Sequence, residues 1–218
     1  MNHQTTPLMG DHTVYSASMR VDILPLFDRP YARVLDIGCS TGNTGVMLKE
    51  HGLCQWVSGV ELFEQTASIA RTRLDDVMVG PVQEVLGHIA DQSFDCILCL
   101  DVLEHLADPW RVLQQLSQKL KPQGVIITSI PNIRHVSILV KLFLLGRWTY
   151  TDSGILDRTH LRFFTKQSVL ALLDLPQLRL EKVSSLVSRR LRWIHWLSAG
   201  ILDGFLTSQY LTRSRKLP

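Results

Sequence analysis

The sequence has no uninterrupted apolar run of the ~20 residues that a membrane-spanning helix requires. Charges break both of its longest hydrophobic segments, 133–148 and 189–206. The first twenty residues lack the charged-then-apolar pattern of a secretory signal, so the expected compartment is the cytoplasm. Cysteine is scarce, with four in 218 residues. Cys96 and Cys99 spell Cys-x-x-Cys inside an apolar strand pattern, where positions three apart face opposite ways. That argues against zinc or redox chemistry and for two reduced, buried thiols; no metal site is expected. A formal net charge of +3 is mild, but basic residues gather late, at Arg189, Arg190, Arg192, Arg213, Arg215 and Lys216. Repeats, linkers and low-complexity tracts are absent. The chain reads as one domain, 1–218, long enough for a full core.

What is present is concentrated first in Arg33-Val-Leu-Asp-Ile-Gly-Cys-Ser-Thr-Gly-Asn-Thr-Gly45. An apolar run from Arg33 to Ile37 predicts a buried strand. Gly38 to Gly42 is a small-residue turn, and Asn43 to His51 a helix that Asn43 or Thr44 caps and Gly52 ends. Strand, glycine turn and helix N-terminus make a cofactor cradle, with glycines admitting a ligand to the backbone and free amides facing it. The dinucleotide fingerprint needs glycine at the first, third and sixth positions of the turn. Gly38, Ser40 and Asn43 stand there, so that reading fails. Asp36, just before the turn, suits a ligand carrying an ammonium group better than a pyrophosphate. Trp56 to Glu61 is a second strand, ending in an acid able to accept from both ribose hydroxyls.

These residues, with Phe94-Asp-Cys-Ile-Leu-Cys-Leu-Asp-Val-Leu-Glu-His105, resemble the class I S-adenosylmethionine-dependent methyltransferases. The likeness is to the small-molecule branch that includes ubiquinone O-methyltransferases and surface-sugar pathway enzymes, and covers roughly residues 12–185. It implies a Rossmann-like, doubly wound α/β fold: an α/β/α sandwich whose seven-stranded sheet is mostly parallel with an antiparallel last strand. It implies S-adenosylmethionine as cofactor and S-adenosylhomocysteine as product. Asp36, Gly38, Cys39, Ser40 and Gly42 would hold it in the turn, Glu61 and Leu62 after the second strand, and Leu100 and Asp101 at the end of the fourth. A leading helix over Tyr15 to Phe27 would bring Tyr15 or Arg20 to the methionine carboxylate, unless Tyr15 packs and Arg20 is solvated. The family's acid after the third strand is replaced by Pro81, leaving Val82 for the purine face and Gln83 for the adenine amino group.

The remaining elements follow from pattern. Helices are expected over Glu64–Leu74, Pro109–Leu120 and Lys166–Leu173, and strands over Asp76–Gly80, Ser93–Leu100, Gly124–Ile130, Leu178–Leu186 and Ser208–Lys216. This alternation demands a parallel sheet with right-handed crossovers. It breaks at 133–164, an insertion over the mouth of the sheet where substrate selection belongs. His105, His135 and His160 are the candidate bases, since a histidine near neutrality contributes on the order of 10²–10⁴ to attack by a hydroxyl. Arg158 and Arg162 are candidate anion holders, and Trp148 and Tyr150 candidate walls. Alternatively Leu161, Phe163 and Phe164 plug the lid onto the core while Asp157 pairs with Arg158. An amphipathic helix over 189–206, basic at its start and bearing two tryptophans, fits a membrane surface, a lid or a homodimer contact. The acceptor is read as the hydroxyl of a small or lipid-linked molecule. Nucleic acid is excluded because Asp101-Val-Leu-Glu stands where the base methyltransferases carry Asn- or Asp-Pro-Pro-aromatic. An N-methyltransferase on an amino sugar or small amine, and a non-catalytic cofactor-binding scaffold, are the alternatives.

Overall fold

A computed structural model describes residues 19–218; Tyr15 and most of the first turn of the expected leading helix lie outside the described residues. What is described of that helix is a 3-10 turn, Val21–Leu26. Pro25 sits inside it and has no N–H to extend an α-helical ladder. The turn still buries Ile23 and Leu26 against the sheet.

The chain then alternates strand and helix: β1 (Tyr31–Ile37), α1 (Asn43–Glu50), β2 (Cys54–Glu61), α2 (Glu64–Ala70), β3 (Asp76–Val79), α3 (Val82–Val85), β4 (Phe94–Leu100), α4 (Pro109–Lys119) and β5 (Leu120–Pro131). After β5 come α5 (Val136–Leu145), a lid of irregular chain over 146–165, α6 (Lys166–Leu173), β6 (Leu178–Val187), two short helices α7 (Arg192–Leu197) and α8 (Asp203–Leu206), and β7 (Thr207–Lys216). The seven strands form one sheet in the order β3-β2-β1-β4-β5-β7-β6. β7 runs antiparallel to both neighbours and the pairs from β3 to β5 are parallel, as the resemblance implies.

Alternation along each strand divides the core into two layers. Leu35, Ile37, Ile97, Cys99, Ile126, Ile130 and Tyr210 pack beneath α3, α4 and α6. Val34, Cys96, Leu98, Val125, Ile127 and Leu211 pack beneath the 3-10 turn, α1 and α2. Cys96 and Cys99 thus lie in opposite layers, both buried and unbonded. Burial raises both thiols well above their usual pKa, which keeps them inert.

Four expectations change. β5 begins at Leu120 rather than Gly124, continuing through polar Lys121 and Gln123. The helix Glu64–Leu74 ends early, at Ala70, and closes as a turn. α1 is capped by Gly42 in the left-handed region (φ +81°) and by no side chain, because Asn43 is already the first helical residue and its Oδ1 accepts from Arg73. The single helix over 189–206 is broken into α7 and α8, since Ala199 (φ +46°) and Gly200 (φ +82°) reverse the backbone between them. What remains amphipathic is split over two pieces of six and four residues.

Candidate active site

β1 leads on one side to β2 and β4 returns on its other side, so the switch point of the sheet lies between the carboxyl ends of β1 and β4. The turn after β1 is closed from within. Gly38 and Cys39 both donate their amides to the Val60 carbonyl, at 2.8 and 3.1 Å, and Gly42 donates to Cys39. Ser40 donates its amide to Glu61 Oε2 at 2.9 Å, while Glu61 Oε1 accepts from Phe63 at 3.1 Å. These amides are therefore engaged inside the protein and do not face a ligand, which corrects the free-amide cradle read from sequence. The turn depends on close packing instead. Gly38 holds φ +70°, and a Cβ there would lie 2.7 Å from Val102 Cγ2. Asp36 is only 3% exposed. Burial, with Glu61 close by, pushes its carboxyl up to about 7.

The turn after β4 is closed by the lid. Leu161 and Arg162 donate their amides to the Glu104 carbonyl, each at 2.9 Å, and pin the lid over a short 3-10 turn, Leu103–His105. A cleft of about 360 Å³ remains between them, lined by Asp101, Glu104, His105, Ile155, His160 and Gln209 among others. Asp101, at φ +56°, aims into it. Its Oδ1 accepts from Ser129 and Gln209 at 2.8 Å each, and its Oδ2 accepts from Arg20. The His105 and His160 rings meet edge to face, centroids 4.6 Å apart. His160 Nδ1 donates to the Ile155 carbonyl at 3.0 Å. Thr159 Oγ1 donates to Asp157 at 2.6 Å, so it must accept from His105 Nδ1 at 3.0 Å. In both rings Nδ1 is therefore the donor, which leaves Nε2 to carry the lone pair of the neutral form. Burial and the neighbouring His160 ring lower the His105 pKa, which keeps that ring neutral near pH 7.

A family model described as a methyltransferase domain matches residues 12–183. The chain belongs to this methyltransferase family. Its fold is of class I and its cofactor is S-adenosylmethionine. A ubiquinone biosynthesis O-methyltransferase of Idiomarina loihiensis is 36% identical over 119 residues, 52% of this chain and 46% of the relative. The enzyme of the same name from Coxiella burnetii is 27% identical over 153 residues, 65% of this chain and 64% of the relative. The matches thus span about half to two thirds of these relatives. An S-adenosylmethionine-dependent methyltransferase from Archaeoglobus fulgidus shares the fold, with a TM-score of 0.65 at 19% identity over 95% of each chain.

Within this methyltransferase the residues expected from sequence separate into three groups. Asp36, Gly38, Cys39, Ser40, Gly42 and Glu61 form the first turn and its neighbour strand; exposed Leu62 follows, and buried Val82 and exposed Gln83 open α3. Leu100 and Asp101 end β4 beside them. His105 and His160 come together in the cleft, but His135 does not line it. It caps α5, with Nδ1 accepting from the Ser137 amide at 3.3 Å. Arg20 joins Asp22, Asp101 and Ser129 across the mouth. Arg158 pairs with Asp152, not Asp157, and Arg162 donates to the Ala107 carbonyl over the Trp110 ring. Phe164 plugs the lid as expected, whereas Leu161 is 56% exposed and Phe163 packs edge-on against Trp148. The functional candidate missed in the sequence is Glu104. It is 1% exposed, and among the described residues neither carboxylate oxygen has a hydrogen-bond partner. Its one sequence signal was an acid directly before a histidine at the end of β4.

Proposed function

We propose that this methyltransferase acts on a hydroxyl oxygen of a small or lipid-linked molecule, with Asp36, Gly38, Glu61 and Asp101 holding the cofactor. The residues fit that group. Gly38 runs so close to Val102 that no Cβ fits, which keeps the main chain of the turn bare; Glu61 keeps lone pairs beyond its two amide bonds, and Asp36 is a buried acid suited to a cation. The bound cofactor supplies a methyl group on a sulfonium, a leaving group that needs no further activation.

The chain's residues do the rest. Glu61 accepts from the ribose hydroxyls, Asp36 from the ammonium group, and Arg20 with Asp101 closes the mouth. The lid holds the acceptor oxygen in line with the methyl carbon, and such orientation alone is worth roughly 7–11 kcal/mol of barrier. A cofactor held by these residues would supply the methyl group, its sulfur leaving with the bonding pair. The hydroxyl proton is taken up at Nε2 of His105 or His160. The observation that carries the oxygen reading is this pair of imidazoles, each with Nδ1 held by a backbone or hydroxyl acceptor, lining the same cleft as Asp101. An amine in its neutral form would have no need of them. The two relatives named as O-methyltransferases support the same reading. Exposed Phe143, Leu144, Trp193 and Trp196, close in sequence to Lys141, Arg147 and Arg192, support an acceptor presented at a lipid surface.

The test is release of S-adenosylhomocysteine from a panel of phenolic, sugar and amine acceptors. Turnover of a hydroxyl acceptor is expected, with His105→Ala and His160→Ala each losing about 10²–10⁴ in kcat at unchanged cofactor affinity. Turnover of amines alone, indifferent to both substitutions, would refute it.

A further inference from the structure

We infer that Gln209 is a specificity-determining residue: its side-chain carbonyl selects acceptors that carry a second hydrogen-bond donor in addition to the hydroxyl that is methylated. That this second group belongs to the methyl acceptor rests on the oxygen-acceptor reading proposed above. The class selected is an uncharged molecule with at least two donors, each a hydroxyl or an N–H.

The orientation of the Gln209 amide is decided by its partner. Nε2 donates to Asp101 Oδ1 at 2.8 Å. That same oxygen receives Ser129, and Oδ2 receives Arg20. A carboxylate met by donors at both oxygens offers acceptors only, so a flipped amide would set oxygen against oxygen. Oε1 is thereby turned away from Asp101, and among the described residues it has no hydrogen-bond partner. Gln209 and Asp101 both line the cleft of about 360 Å³. A ligand that fills this cleft displaces water from Oε1, and must supply a donor in its place or leave the carbonyl unpaired.

The carbonyl is also rigidly mounted. Gln209 lies in β7, opposite Pro131 of β5 on one side and Leu186 of β6 on the other. Two strand ladders and one carboxylate therefore set where Oε1 stands, and a recognition group held in this way is preorganised. The rest of the wall fixes the charge that is accepted. Its other polar side chains are Asp101, Glu104, His105, Ser153, His160 and Ser208, with no lysine or arginine among them. Arg20, which meets Asp101, gives its remaining donors to Asp22 and Ser129, and Ser208 donates its hydroxyl to the Leu186 carbonyl at 2.8 Å. A carboxylate or phosphate in place of the second donor would face the Gln209 oxygen and Asp101 with no free cation to offset them.

The experiment uses the full chain saturated with S-adenosylhomocysteine, so that acceptor binding is read without turnover. Catechol, phenol, guaiacol and salicylate are titrated calorimetrically; the last three put hydrogen, a methoxy group and a carboxylate where catechol has its second hydroxyl. Catechol is expected to bind at least about fivefold tighter than phenol or guaiacol, and salicylate to bind weakest. Gln209→Met keeps the bulk and removes both polar atoms, so it should bring catechol to within about twofold of phenol. Affinity for S-adenosylhomocysteine reports that the variant is folded. Should Gln209→Met fail that control, Gln209→Asn replaces it, since an amide one carbon shorter cannot serve both Asp101 and the cleft. Absence of saturable catechol binding, phenol or salicylate binding as tightly as catechol, or a catechol preference that survives in a folded variant would overturn the role of Gln209. A preference lost in the variant, with no methyl transfer from S-adenosylmethionine to any hydroxyl probe, would instead overturn the oxygen-acceptor reading and leave Gln209 as a binding residue.

Discussion

The turn after β1 takes its side-chain partner from 21 residues away, where Glu61 receives Ser40. The turn after β4 is completed from 54 residues away, where Thr159 meets His105. Both sit at the same switch point, yet one is a product of two adjacent strands and the other of a strand and a distant insertion. On the proposed assignment the cofactor half of the site is built into the sheet, whereas the acceptor half is completed by the docked lid. Substitutions in one half should leave the other readable.

The largest separation of the two should come from the lid. Phe164 is 3% exposed in the layer beneath α6, and its carbonyl receives the Ile133 amide. Phe164→Ala should cost about 3–5 kcal/mol of stability. Denaturant unfolding should show that loss together with cofactor affinity within a few-fold of wild type at low temperature; an equal collapse of cofactor binding would mean the halves are one unit. Gly38→Val attacks the other half. A β-branched residue at φ +70° is strained by about 1–3 kcal/mol, before the contact with Val102 is counted. Calorimetry should show S-adenosylhomocysteine affinity reduced at least about 10–100-fold, and unaltered affinity would refute the placing of the cofactor at this turn.

Glu61→Gln is gentler. It removes the charge from two hydrogen bonds and sets a donor against one of the amides at Ser40 and Phe63, for a loss of about 1.5–3 kcal/mol in cofactor binding. The smallest effect is that of pH. The Asp36 carboxyl lies near 7 when folded, against about 3.9 in an unfolded chain. The folded, cofactor-free protein holds this proton between those values, so its contribution to stability falls as pH rises from about 4 to 7. Binding an ammonium group needs the ionised form. Cofactor affinity should therefore rise with pH by at most about tenfold per unit up to pH 7, with release of a proton on binding. A calorimetric enthalpy independent of buffer ionisation would show that Asp36 does not meet the cation.

The same contrast explains what could be read in advance. β1, its glycine turn, β2 and β4 were legible because each is announced by a short run of neighbours: apolar residues, a glycine at the bend, an acid at the strand end. Helix α6 was legible in its bounds, Lys166–Leu173, and the structure closes its N-terminus with a capping box of Thr165 and Ser168. The acceptor half was legible only as ingredients. His105 and His160 stand out singly, but nothing in sequence says that the chain folds back over a separation of 54 positions to bring Thr159 onto His105, or that His135 turns aside to cap a helix. Glu104 was hidden because an acid after an apolar strand looks like a solvated turn residue until the lid covers it. The break at Ala199 and Gly200 had a visible signal in the glycine, overridden by the hydrophobic periodicity around it.

The clasp of Leu161 and Arg162 on the Glu104 carbonyl also supplies a clock. Those two amide protons are shielded only while the lid is shut, so their deuterium uptake counts openings directly. Compared with turnover at the same temperature, that count tells whether each catalytic cycle waits for the lid or for the methyl transfer beneath it.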